Sequence, residues 1–123
     1  MREIFFKAKR KDNGEWMEGD LLHTRHADVV LISDFKDQLF RCDGNTICQF
    51  IGLADENGKR IWENDIVRNE KGDIGVVQWF EEHAAFMIWN KTKHYVCYLA
   101  ENDFSKIEIA GNEFDNPELL EVE

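Results

Sequence analysis

Proline is nearly missing from this chain: Pro117 is the single example among 123 residues. With no Pro- or Ser-rich stretch there is no interdomain linker to place, and the expectation is one domain over 1–123. Cysteine is scarce too. Cys42, Cys48 and Cys97 are odd in number and lack C-x-x-C spacing, which excludes a disulfide framework or a zinc ribbon and leaves structural free thiols. No apolar run approaches the ~20 residues that a membrane span requires, and no basic segment precedes an apolar one at the start, so the expected setting is the cytoplasm, with no membrane partner. Basic residues are also in short supply. The net charge is -10, and it is unevenly spread: residues 1–25 hold six Lys or Arg against five Asp or Glu, whereas residues 100–123 hold one Lys against eight acids. A protein that binds by neutralising phosphates shows a basic stripe instead, so nucleic acid is not the expected partner. Lys7, Lys9, Arg10 and Lys11 form the one basic cluster, read as a solvated strand end entering a turn.

What is present is β-structure. Hydrophobic residues make up 43% of the chain, including nine Phe and four Trp, enough to build a core, and they recur with period two rather than 3.6. Ile4, Phe6 and Ala8 alternate with Phe5, Lys7 and Lys9, and Lys11-Asp12-Asn13-Gly14 turns the chain into a second strand over Glu15 to Leu22. Further strands are expected over Ala27 to Ser33, around Leu39 to Arg41, and over Thr46 to Ile51, closed by Gly52. More follow at Ile61-Trp62, Asp65 to Arg68, Ile74 to Phe80, Ala84 to Trp89, His94 to Leu99 and Lys106 to Ile109. Strands about every ten residues without sustained helical periodicity describe an all-β antiparallel fold. Asn116-Pro117-Glu118 combines an N-cap residue, Pro at the first helical position and an acid in the first turn, predicting one short C-terminal helical turn.

The motifs of common chemistries do not assemble. His23 and His26 lie three apart, on opposite faces of a strand, so no metal is expected there. A calcium loop beginning at Asp55 would need Gly at Arg60 and Glu at Ile66. Gly72-Asp73-Ile74-Gly75 is a hairpin turn, with no helix or Lys-Ser/Thr after it to cradle phosphate. No cofactor is implied. Glu63 and Asp65, with Glu18 or Asp20, could form a carboxylate pair for acid and base work if a cleft buried them. Asp65 has a more economical role, accepting backbone N–H at the mouth of the turn before Ile66. The aromatic residues offer an interaction surface: Trp16, Trp62 and Trp89, with Trp79, Phe80, Phe86, Tyr95 and Tyr98, can line a groove or a subunit interface.

Three blocks carry a family resemblance. Arg2-Glu3-Ile4-Phe5-Phe6-Lys7-Ala8 is similar to an opening strand of the form R-E-I-x-F-R-A. Thr46 to Trp79 is similar to T-[IV]-G-Q-[YF]-T-G-L-x-D-x-N-G-K-x-I-[YF]-E-G-D-I-V followed by a Gly turn and G-V-V-x-[WF]. Ile109 to Leu120 is similar to I-G-N-x-x-[ED]-N-P-E-L-L. The chain thus resembles the YopX family of phages and prophages. The resemblance implies an SH3-type β-barrel and no known activity, with a subdivision into an N-terminal β portion over 1–45 and a barrel with an acidic tail over 46–123. Cys48 and Ile51 stand where the family favours Gly and Thr, and Asn64 replaces the Gly before Asp65; Asn is the residue that best tolerates the left-handed backbone a Gly would supply.

The reading that results is a non-enzymatic module that binds itself, as a homo-oligomer, or a host or phage protein. Trp16, Trp62, Trp89, Glu113, Asp115 and Glu118 are its candidate surface. Two alternatives are an acidic inhibitor whose carboxylates mimic nucleic-acid phosphates, and a small hydrolase acting through carboxylates.

Overall fold

Turn chemistry decides where this chain reverses. The computed structural model describes residues 3–90, 95–98 and 104–121, and the Asn13 side chain accepts a hydrogen bond from the Glu15 N–H at 2.9 Å, while Gly14 takes φ 75°. This reversal pairs β1 (Phe6–Lys9) with β2 (Trp16–His23) antiparallel, Phe6 opposite Gly19 and Lys9 opposite Trp16. β3 (Val29–Ser33) runs back with Leu31 opposite Leu22. The next reversal is held by the Asp34 carboxylate, which accepts from the N–H groups of Lys36 and Gln38, each at 2.9 Å. It delivers β4 (Leu39–Asp43), with Phe40 opposite Ile32.

Period-two patterning puts Ala8, Val30, Ile32 and Cys42 in one interior, with Phe6, Met17, Leu21, Phe40 and Ile47 packed around them. Each Ile or Val so buried contributes roughly 1.5–3 kcal/mol. Two further ties draw the end of β1 to β4: an isolated bridge pairs Arg10 with Cys42, and the Lys11 N–H donates to the Arg41 carbonyl at 2.9 Å. The buried Thr46 hydroxyl accepts from the Lys9 N–H at 2.9 Å and donates to the Asp43 carbonyl at 2.8 Å, so the Gly44–Thr46 3-10 turn is anchored at both ends.

The chain divides into two units between Phe50 and Ile51, within β5 (Cys48–Ala54). Cys48 and Gln49 pair with Lys7 and Phe6 in the first unit; the rest of the strand belongs to the second, where β6 (Arg60–Trp62) is its neighbour. The second unit continues through β7 (Asp65–Arg68), β8 (Ile74–Phe80), β9 (Ala85–Asn90), β10 (Tyr95–Tyr98) and β11 (Glu108–Asn112), in the antiparallel order β10-β9-β8-β7-β11. The β7–β8 hairpin turns on Asn69, whose side-chain oxygen accepts from Lys71 N–H and Asp73 N–H at 3.0 and 2.9 Å. Ile61, Val67, Val77, Ile88 and Ile107 form this unit's core, with Ile51, Phe86 and Ile109 against it.

The protein is all-β, and among the described residues it has no α-helix, only short 3-10 turns. Neither sheet closes on itself among those residues. Three elements depart from the sequence expectation. Gly52 does not end β5 but lies inside it at φ 91°, a backbone that its missing Cβ permits. Lys106 sits in a 3-10 turn, and β11 instead runs on to Asn112 through an irregularity between Ile109 and Gly111. The C-terminal turn is the 3-10 segment Pro117–Leu120, but Asn116 makes no side-chain cap there. Its Oδ1 is committed to the Asn112 N–H at 3.2 Å. His94 and Leu99, the expected ends of the β10 run, lie outside the described residues.

Candidate functional site

Most of the residues that looked chemically suggestive hold the fold. Asp55 is buried, and its Oδ1 accepts from Asn57 N–H and Lys59 N–H, both at 2.9 Å, while Oδ2 accepts from Ile109 N–H at 3.0 Å. Burial pushes this carboxyl upward, but those backbone donors and the Lys59 charge outweigh it and hold the group below the usual Asp range. Asp65 is also buried and accepts from the Trp62 N–H at 2.8 Å. Asn64, before it, has φ 73°, the left-handed backbone anticipated for the residue at a glycine position. Glu63 is half-buried, whereas Glu18 and Asp20 are exposed on β2 of the first unit.

Two of the three thiols are sequestered. Cys42 and Cys48 are free and buried, and burial raises the Cys42 thiol above its ordinary value, away from the thiolate that nucleophilic or metal chemistry needs. Cys48 lies in β5 opposite Lys7, its Sγ 3.4 Å from the Thr46 carbonyl. His23 and His26 are exposed, and no group of three potential metal ligands converges among the described residues.

The six residues proposed as a surface are spread over both units. Trp16 lies in the first, half-buried, with the ammonium groups of Lys7 and Lys9 at 4.7 and 5.4 Å from its ring. Trp62 is inside the second unit at 5% exposure, and Trp89 is half-buried opposite Val76. Glu113 accepts from the Gln78 amide at 3.0 Å, and burial raises its carboxyl against the pull of that bond. Asp115 is exposed and accepts from the Asn112 amide at 3.1 Å; Glu118 is exposed on the C-terminal 3-10 turn.

The arrangement that does converge is in the first unit. A cleft of about 350 Å³ is lined by Arg10, Lys11, Asp12, Leu39, Phe40 and Arg41. Alternate side chains of a strand face opposite ways, so three successive residues of β4 line one cleft only where it runs along the strand's edge. Arg10 lies over the Phe40 ring at 4.8 Å and is gripped by Asp12, with Nε and Nη2 at 2.9 and 2.6 Å from its two carboxylate oxygens. That pair raises the guanidinium and lowers the carboxyl, each chiefly through the shared hydrogen bonds. Lys11 is 4.0 Å from Asp28, and no carboxylate among the described residues pairs with Arg41. The cleft therefore presents net positive charge beside apolar surface.

A family model described as YopX protein matches residues 5–121. The chain belongs to the YopX family. A comparison with curated proteins gives no match. Several residues of the three resemblance blocks build turns in the structure: Thr46, Asp55, Asp65, Gly111, Asn112 and Asn116. The cleft residues lie within the matched range. In the sequence, Arg10 and Lys11 read as a solvated strand end, and nothing singles out Leu39 or Arg41 as site residues.

Proposed function

We propose that this YopX protein is a non-enzymatic protein-interaction module of phage or prophage origin, acting in the cytoplasm of the host cell. The observation that carries the reading is the grouping of exposed apolar side chains with the net positive charge of the cleft in the first unit. Phe35 and Leu39, which flank one turn, are 69% and 58% exposed, and the Leu39 side borders the cationic cleft. Exposed apolar surface rimmed by charge marks partner sites. Phe35 is not loose: its ring meets Phe5 edge-on at 5.9 Å, and Phe5 stacks on Phe50 at 4.8 Å. A partner would meet a braced aromatic side chain, which costs little entropy to fix. In the second unit, Trp79 is 47% exposed against Phe86 and offers a further contact for self-assembly. The return of β11 beside β7 supports reading this unit as a small barrel of the SH3 type.

The test is affinity capture of tagged protein from host lysate at low and high salt, beside the Phe35→Ser/Leu39→Ser double variant. Capture of the same partner by wild type at both salts, with loss in the variant, is the expected result. Retention by a variant that is still folded would overturn the reading, as would turnover of a substrate by pure protein. A partner released only by salt and unaffected by the variant would point to the acidic-mimic alternative.

A further inference from the structure

The reversal at Asp34 fixes which backbone groups β4 leaves over. Asp34 N–H donates to the Gln38 carbonyl at 2.9 Å, so residues 34 and 38 form a hydrogen-bonded pair. In an antiparallel ladder such pairs alternate with non-bonded ones. The next bonded pair is then Ile32–Phe40, while Ser33–Leu39 and Leu31–Arg41 are non-bonded pairs in the observed register. The N–H and C=O groups of Leu39 and Arg41 consequently point away from β3. The Arg41 carbonyl confirms this direction, because it accepts from Lys11 N–H at 2.9 Å. β4 is the outermost strand of its sheet. The Lys11 backbone lies against Arg41, so what remains open is the end of this edge, the N–H and C=O of Leu39, and the cleft runs there.

We infer that this edge accepts an extended acidic peptide segment of another protein, whose main chain pairs with the open N–H and C=O of Leu39 and whose carboxylates meet Arg41 and Lys11. The inference rests on the reading of the chain as an interaction module and names the class of partner. Strand addition takes affinity from main-chain hydrogen bonds and specificity from side-chain contacts. Here charge complementarity sets the specificity. Arg10, Lys11 and Arg41 face a single acid, Asp12, around the cleft. Asp12 already engages Arg10 with both oxygens, which leaves Arg41, with no acid partner among the described residues, and Lys11, whose contact with Asp28 is long at 4.0 Å and exposed, to meet incoming carboxylates. Leu39 supplies apolar contact to a side chain between those carboxylates.

The edge also discriminates between a peptide and a phosphodiester strand. The Leu39 carbonyl needs a donor, which a peptide N–H provides; a phosphate backbone has none and would set an oxyanion against that carbonyl. Moreover, a chain of net charge -10 repels a polyanion far more than a segment with two or three carboxylates.

The experiment is fluorescence anisotropy with the full chain and a labelled peptide of alternating Glu and Val. Its controls are the matching Lys–Val peptide, a Glu–Val peptide N-methylated on alternate amides, and inorganic phosphate as competitor. The expected result is binding of the Glu–Val peptide alone, weakened about tenfold by Arg41→Glu and little changed by Arg41→Lys. N-methylation is expected to abolish it, and this control needs no protein variant to fold. Equal binding of the Lys–Val peptide, indifference to N-methylation, or displacement by an equal concentration of phosphate would each overturn the inference. So would light scattering that shows a dimer dissociated by Arg41→Glu, because the edge would then hold a second copy. If no peptide binds but the Phe35→Ser/Leu39→Ser variant still loses its captured partner, this inference falls while the interaction-module reading stands.

Discussion

Asp55 shows how one side chain can hold a reversal and a distant strand together. Three N–H groups converge on its two oxygens, two from its own turn and one from Ile109. Asp55→Asn would set an amide NH2 against at least one of these donors, and the loss of a charge-assisted acceptor is expected to cost about 1.5–3 kcal/mol. Denaturant unfolding at neutral pH checks the magnitude, and a pH series checks the cause. The folded carboxyl is held below its ordinary value, so its contribution is fully present above the unfolded carboxylate's pKa of about 3.9. It is lost as pH falls through the folded value. Wild type and variant should therefore converge in acid; a gap that persists there would mean that the effect is steric. This role was half legible in the sequence. Asp55-Glu56-Asn57-Gly58 reads as a turn from local chemistry alone, but its hold on Ile109, 54 positions away, has no local signal.

At the scale of elements, the close of the chain is a knot of short-range bonds around Asn112 and Asn116. Asn112 Oδ1 accepts from Phe114 N–H and Asp115 N–H at 2.9 Å, and Asn116 Oδ1 returns to the Asn112 N–H. Gly111 must sit against this knot: a Cβ there would come 2.4 Å from Asn116 Oδ1. Gly111→Ala is expected to destabilise by roughly 1–3 kcal/mol, the usual cost of overpacking, and to loosen Pro117–Leu120 before the rest of the second unit. Hydrogen exchange at Leu119, whose N–H donates to the Asn116 carbonyl at 3.1 Å, reports that loosening directly. Strand identity was legible through period two, and turns through Asn, Asp and Gly. The extent of each core was not. Trp62 and Trp79 stand in similar sequence contexts, yet one is 5% and the other 47% exposed, because strand parity assigns a face without saying how far the packed layer reaches. The cleft was illegible for a related reason. It exists where Arg10 bridges Cys42, a pairing between strands distant in the chain that no window of residues contains.

For the whole molecule, charge is partitioned almost completely. Residues 1–50 hold eight Lys or Arg against nine acids, whereas residues 51–123 hold seven against sixteen. The acidity visible in the composition is therefore a property of the second unit, and a cationic cleft can persist in a chain that is strongly anionic overall.

The boundary between the units lies at Phe50–Ile51, inside a strand, and this bears on how the protein can be cut and fused. Proteases need a segment that leaves its hydrogen-bonded ladder, and a paired strand does not supply one. Brief chymotrypsin treatment is therefore expected to cleave first after Phe35, which stands exposed in a turn, with the Phe50–Ile51 bond spared; a primary cut at that bond, identified by fragment mass, would contradict this. The same constraint acts on chimaeras. A fusion that joined one unit to a foreign partner would have to break β5 to do it, so the cationic cleft and the acidic unit are expected to be transferable only together.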